Sequence, residues 1–170
     1  QKVDRSKENF GIRALPNLET RFVAANTLIG LDKPQHIFYT EEIRELEEEI
    51  KSLRHRYFQA KTRGEKIRYQ EKDKELRASL ANALKSIGFS SASSERIAKF
   101  DLYDQNASAD FFDPEWMFGF QSGFDIVIGN PPYVRQESIK EDKPRFKPHY
   151  VTYNGTADLF VYFYERSFQL

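Results

Sequence analysis

Gly123-Phe-Asp-Ile-Val-Ile-Gly-Asn-Pro-Pro-Tyr133 decides how this chain is read. The run 124–129 is almost continuously apolar and β-branched, the pattern of a strand buried on both faces of a parallel sheet. It stops at Asn130, and two prolines follow, fixing two φ angles and removing two backbone donors. The carbonyl of Pro131 then points outward beside the Asn130 side-chain oxygen, two acceptors on one rigid turn. Such a pair suits an NH2 group on a planar ring or carbonyl. Two hydrogen bonds to its protons would localise the nitrogen lone pair, and Tyr133 would stack on the planar face at about 1–3 kcal/mol. Catalysis of this kind is positioning and acceptor electrostatics, with no strong base.

A second strand candidate, 20–25, also ends in asparagine, at Asn26. Ligands of open α/β sheets sit outside the carboxyl ends of strands, so 20–25 and 124–129 are expected as neighbouring parallel strands, with Asn26 and Asn130 on one rim. A plainer reading makes each asparagine a turn former. Leu159–Phe168 is an aromatic-rich helix candidate entered through Asn154-Gly-Thr156, with Asp158 either at the pocket or as a first-turn acid.

Between these pieces the character changes. Residues 41–77 hold ten acids and eleven bases, so charge fills most of the stretch. Ile43, Leu46, Ile50, Leu53 and Tyr57 step by three and four, and Leu76, Leu80, Ala83 and Ile87 repeat the spacing. With Thr40 as N-cap, a break at Gly64 and Gly88 as C-cap, the pattern predicts two antiparallel helices, about 40–63 and 65–87. They are expected to be solvated and to lean on the body at one end. The stretch 89–123 reads as irregular coil pinned by large side chains, Trp116 and its aromatic neighbours serving as core.

Composition narrows the function classes. The 170 residues carry 26 Lys+Arg against 26 Asp+Glu, so any basic surface is local. Two such places exist. The loop 134–149 offers Arg135, Lys140, Lys143, Arg145 and Lys147 against Glu137, Glu141 and Asp142. The hairpin tip, 54–68, offers Arg54, Arg56, Lys61, Arg63, Lys66 and Arg68 against Glu65 alone. Either could meet nucleic-acid phosphates; the plainer alternative is a solvated surface. Cysteine is absent, which excludes a disulfide scaffold and fits a reducing, cytoplasmic setting. His36, His55 and His149 have no metal-ligand spacing, no metal is expected, and no apolar run suits a membrane span. With Gln1 first and Leu170 inside an apolar pattern, the chain is expected to be an internal piece.

The stretch 123–133 resembles the catalytic motif of amino-group methyltransferases, and most of all that of the N6-adenine DNA methyltransferases of type IIG restriction–modification enzymes. Leu15-Pro-Asn-Leu-Glu19 through Ala25-Asn26-Thr-Leu-Ile-Gly30 resembles their third motif. Phe111–Phe118 and Tyr153-Asn-Gly-Thr-Ala-Asp158-Leu-Phe160 match in order and spacing. The resemblance implies a partial Rossmann-like α/β methyltransferase core, parallel strands with flanking helices, over 1–39 and 88–170, with 40–87 an inserted antiparallel helical hairpin. It implies that Asn130, Pro131, Pro132 and Tyr133 are catalytic, holding and stacking the amino-bearing ring of an adenine flipped out of double-stranded DNA. It places Asn26, Thr27 and Asp158 at S-adenosylmethionine, in a cofactor site that is incomplete here, since the Gly-rich motif and the ribose carboxylate are expected before residue 1. The loop residues 135–147 would then contact DNA. Methylation of a glutamine amide or an RNA base, and a non-catalytic module built on the hairpin, stand as alternatives.

Overall fold

The computed structural model describes residues 3–6, 10, 17–34, 39–120 and 123–170. Leu15 and Pro16 of the third motif, and His36, lie outside them. A 3-10 turn at Glu19–Arg21 leads into β1 (Ala24–Ala25), which pairs in parallel with β2 (Ser108–Ala109). Between these strands run α1 (Glu41–Gln59), α2 (Arg63–Ser86) and α3 (Ser91–Lys99). After β2 come α4 (Pro114–Phe118), α5 (Lys143–Phe146) and α6 (Leu159–Gln169). Helices with a small parallel sheet fit a partial α/β methyltransferase.

The hairpin forms as its periodicity demands. Thr40 caps α1 by accepting from the Ile43 amide at 3.4 Å, and Gly88 closes α2 with φ +102°. Ile43, Ile50, Leu53, Leu76 and Leu80 are buried in one core, each stabilising the fold by about 1.5–3 kcal/mol. The break is at 60–62 rather than at Gly64, which lies inside α2. Thr62 makes a capping box with Glu65: its hydroxyl accepts from the Glu65 amide at 3.2 Å, and the Glu65 carboxylate accepts from the Thr62 amide at 3.1 Å. That reciprocal bonding outweighs the weak break of one glycine.

The hairpin is also not one-ended. Asp73 is wholly buried on α2 and accepts from Arg54 Nε of α1 at 2.9 Å and Arg77 Nε at 2.7 Å. Arg54 Nη1 reaches the Trp116 carbonyl at 2.9 Å, and Arg77 Nη1 the carbonyls of Ala98, at 3.0 Å, and of Phe100. At the turn, Asn17 Nδ2 donates to the carbonyls of Tyr57 and Ala60, both at 2.8 Å. The pair is fastened to the body along its length.

Two strand expectations are corrected. Of 20–25 only Ala24–Ala25 is strand, because Thr20 sits in the 3-10 turn, and its partner is β2. Residues 124–129 are extended but unpaired, with Ile126 76% and Ile128 91% exposed. Among the described residues no strand covers that segment, and the Phe124 amide donates to the Leu170 carbonyl at 2.6 Å. An apolar run specifies that a strand wants cover, not which element supplies it. The coil expected over 89–123 also holds α3, β2 and α4; α3 is capped by Ser90 accepting from the Ser93 amide at 3.1 Å.

Candidate functional site

The Asn-Pro-Pro-Tyr turn stands at the mouth of an open cleft of about 520 Å³. Val127, Ile128, Asn130 and Pro131 form one wall, Phe163 and Tyr164 of α6 the other, and Thr27, just past β1, is also in the lining. Asn130 is exposed. Among the described residues neither its side chain nor the Pro131 carbonyl has a hydrogen-bond partner. The turn itself is fixed. The Val134 amide bonds back to the Pro132 carbonyl at 3.0 Å, and the Leu159 amide at the start of α6 bonds to the Val134 carbonyl, also at 3.0 Å. Tyr133 is 84% exposed, its ring 6.1 Å from Phe160 and tilted 46° to it. Two free acceptors and an exposed ring therefore stand together on a rigid support, which can hold a planar amine.

The three residues expected at the cofactor separate. Thr27 lines the cleft with Asn130. Asn26 is outside the lining; its Oδ1 accepts from the Leu28 amide at 3.2 Å, and its own amide bonds to the Ala109 carbonyl at 2.9 Å. It forms a turn after β1. Asp158 precedes α6, and its Oδ1 accepts from the Gln136 amide at 2.8 Å. That bond ties the segment following Tyr133 to the helix.

The basic loop also divides. Arg135, Lys140 and Lys147 are exposed, and Arg145 pairs with Asp142 at 3.8 Å while half exposed. Lys143 is corrected to a structural role, since it is buried and donates to the carbonyl of Gly155 and, at 3.5 Å, to Gln136 Oε1. A buried ammonium needs such partners, and here it joins α5 to the approach of α6. Among the described residues no acidic or histidine cluster could hold a metal ion.

Sequence reading missed Arg166. Its Nε donates to the Thr27 carbonyl and its Nη2 to the Phe112 carbonyl, both at 2.8 Å, which places α6 against β1 and the segment after β2. Burial holds its guanidinium below the ordinary arginine range. Nearby, the Tyr150 hydroxyl donates to the Leu28 carbonyl at 2.7 Å, and burial pushes its pKa up to about 12. A lone cation in an otherwise aromatic helix was the available signal for Arg166.

An exposed turn beside a cleft, on a small parallel sheet with flanking helices, is compatible with a methyltransferase. The chain belongs to the Eco57I restriction-modification methylase family, whose profile matches residues 17–170. It is 46% identical over 48 residues to Type II methyltransferase M.BstVI of Geobacillus stearothermophilus, covering 28% of this chain and 9% of that protein. It is 50% identical over 44 residues to Type II methyltransferase M.XhoI of Xanthomonas vasicola, covering 25% of this chain and 8% of that protein. The matched segments thus span about a tenth of these curated relatives. No solved structure matches.

Proposed function

We propose that the protein bearing this chain transfers a methyl group from S-adenosylmethionine to the N6 amino group of an adenine flipped out of double-stranded DNA, within a type IIG restriction–modification enzyme. The observation that carries this reading is the pair of acceptors, Asn130 Oδ1 and the Pro131 carbonyl, unpartnered among the described residues and lining the cleft. Family membership and the Type II methyltransferase relatives support DNA as the substrate.

The cleft lining tests the cofactor. It is mostly apolar and aromatic, with Thr27, Ser167 and Asn130 as polar groups, and it holds no carboxylate among the described residues. Arg166, its cation, already donates to the carbonyls of Thr27 and Phe112. These residues fit a planar ring and a methyl-bearing group, with Thr27 nearest in role to the cofactor's adenine; they do not fit its ribose or its charged amino-acid end. When bound, S-adenosylmethionine supplies an electrophilic methyl group. Asn130 Oδ1 and the Pro131 carbonyl would accept hydrogen bonds from the two amino N–H groups, localising the lone pair on the nitrogen. Pro132 keeps the Pro131 carbonyl from turning inward. Tyr133 stacks on the flipped base, and with Asn130 exposed the released proton leaves to water.

In the full-length protein, Asn130→Ala is expected to lower the methylation rate about 10²–10³-fold, the scale of one preorganised polar contact at a reacting centre, with DNA affinity nearly unchanged. Tyr133→Ala is expected to weaken base capture as well. Near-normal methylation by Asn130→Ala would make the turn structural.

A further inference from the structure

The hairpin carries a second charged surface that the methylation site does not use. Of the cations at its tip, Arg54 is committed to Asp73, and Lys66 pairs with Glu19 at 3.5 Å. Among the described residues Arg56, Lys61, Arg63 and Arg68 are exposed and form no ion pair, and neither does Arg21 beside them. Arg56 and Arg68 come from different helices and lie over one ring, Tyr69, at 5.9 and 5.3 Å, while Arg21 lies over Phe58 at 5.4 Å. Three chain segments therefore deliver cations to one end. Of the acids there, Glu19 is taken by Lys66, and the Glu65 carboxylate is occupied by the Lys61 and Thr62 amides at 3.1 Å.

The rest of the hairpin differs. Arg44–Glu41, Lys51–Glu48 and Lys72–Glu75 are paired three residues apart at 3.6–3.7 Å. Stability also argues against the placement, because cations in the opening turns of α2 face the positive end of its dipole. Sequence chosen for helix stability alone would put acids at 63, 66 and 68. The tip is held rigid as well, since Asn17 ties the Tyr57 and Ala60 carbonyls to the body.

We propose that the hairpin tip, through Arg56, Lys61, Arg63 and Arg68, grips the phosphate backbone of duplex DNA at a second place, remote in sequence from the loop 134–149. The grip is independent of base sequence, because phosphate contacts position a protein and carry no direct readout. Arg21 extends the surface. The inference rests on the proposal that duplex DNA is the substrate.

The test is a salt titration of DNA binding by the full-length protein and by a variant with Arg56, Lys61, Arg63 and Arg68 all changed to Gln. Each phosphate contact contributes about 0.9 to the slope of log affinity against log salt. The variant should lose about 2–4 in slope and roughly ten- to a hundredfold in affinity at low salt, equally on duplexes with and without the recognition sequence. Its methylation rate at saturating DNA should stay within about twofold. The corresponding all-lysine variant, Arg56→Lys with Arg63→Lys and Arg68→Lys, should keep the slope, which separates charge from folding. An unchanged slope in the glutamine variant, with the parent still binding and methylating duplex DNA, overturns the tip and leaves the Asn130 reading standing. A parent that binds no duplex overturns both.

Discussion

Removing the carboxylate of Asp73 should unfasten the hairpin from the body. Asp73 is 0% exposed, and it neutralises Arg77, 3% exposed, and the mostly buried Arg54. Asp73→Ala leaves two guanidiniums facing each other in a protein interior. Each keeps carbonyl partners, those of Ala98 and Phe100 for Arg77 and those of Trp116 and Met117 for Arg54, so neither is left without bonds. The loss is then the uncompensated charge, about 3–5 kcal/mol for a broken buried pair. Against a total stability of about 5–15 kcal/mol this is severe. With a urea slope near 2 kcal/mol per molar, the midpoint should fall by about 2 M in denaturation followed by far-ultraviolet circular dichroism. Replacing all three charges together, with Asp73→Leu, Arg54→Met and Arg77→Met, should recover most of the loss, because no charge then stays buried. A midpoint shift below about 0.5 M for Asp73→Ala would refute the view that this triad anchors the hairpin.

Glu47 on α1 gives a pH dependence: burial, then the neighbouring Glu115, push its carboxyl up to about 7 from 4.5, against the pull of Lys33. The folded state thus holds the proton more tightly than the unfolded chain, and stability falls as pH rises from 4.5 to 7. Glu47→Gln should match the parent near pH 4.5 and exceed it above pH 7 by on the order of 1 kcal/mol, since solvent screens a half-buried group; equal thermal midpoints at pH 8 would remove the claim. Lys143→Met should destabilise the chain, because Gly155 and Gln136 lose their donor, whereas Lys147→Met should leave the urea midpoint alone and lower only the salt slope of DNA binding, by about 1. The reverse pattern would restore Lys143 to the DNA surface.

The hairpin helices and α6 were legible because their information is local: apolar steps of three and four, Thr40 before Glu41, Gly88 after Ile87. The break between the hairpin helices falls at 60–62 and not at Gly64, because the Thr62–Glu65 pair, spaced as a capping box, sets the start of α2 more firmly than one glycine interrupts it. The serines at 90–94 hid α3; Ser93 and Ser94 are buried against the body, which composition does not announce. Lys143 and Lys147 look alike in sequence, and what separates them is the Gly155 carbonyl twelve residues on. The same holds for Arg54 and Asp73, whose pairing across nineteen residues turned an expected solvated face into an interior. The strand expected at 124–129 failed for a related reason, as periodicity cannot say which backbone lies alongside. The turn at 130–133 has its conformation restricted locally, by two prolines within four residues.

Asn130 and Pro131 are proposed to hold the amino group of an adenine. The most direct test of that role is the chemical identity of the product. DNA methylated by the full-length protein with S-adenosylmethionine should be digested to nucleosides and resolved by mass spectrometry against authentic standards. The predicted result is N6-methyl-2′-deoxyadenosine as the sole new nucleoside, formed at a rate cut by about two orders of magnitude or more in Asn130→Ala. Methylation appearing at a ring carbon of cytosine, or N6-methyladenine formed undiminished by Asn130→Ala, would contradict it.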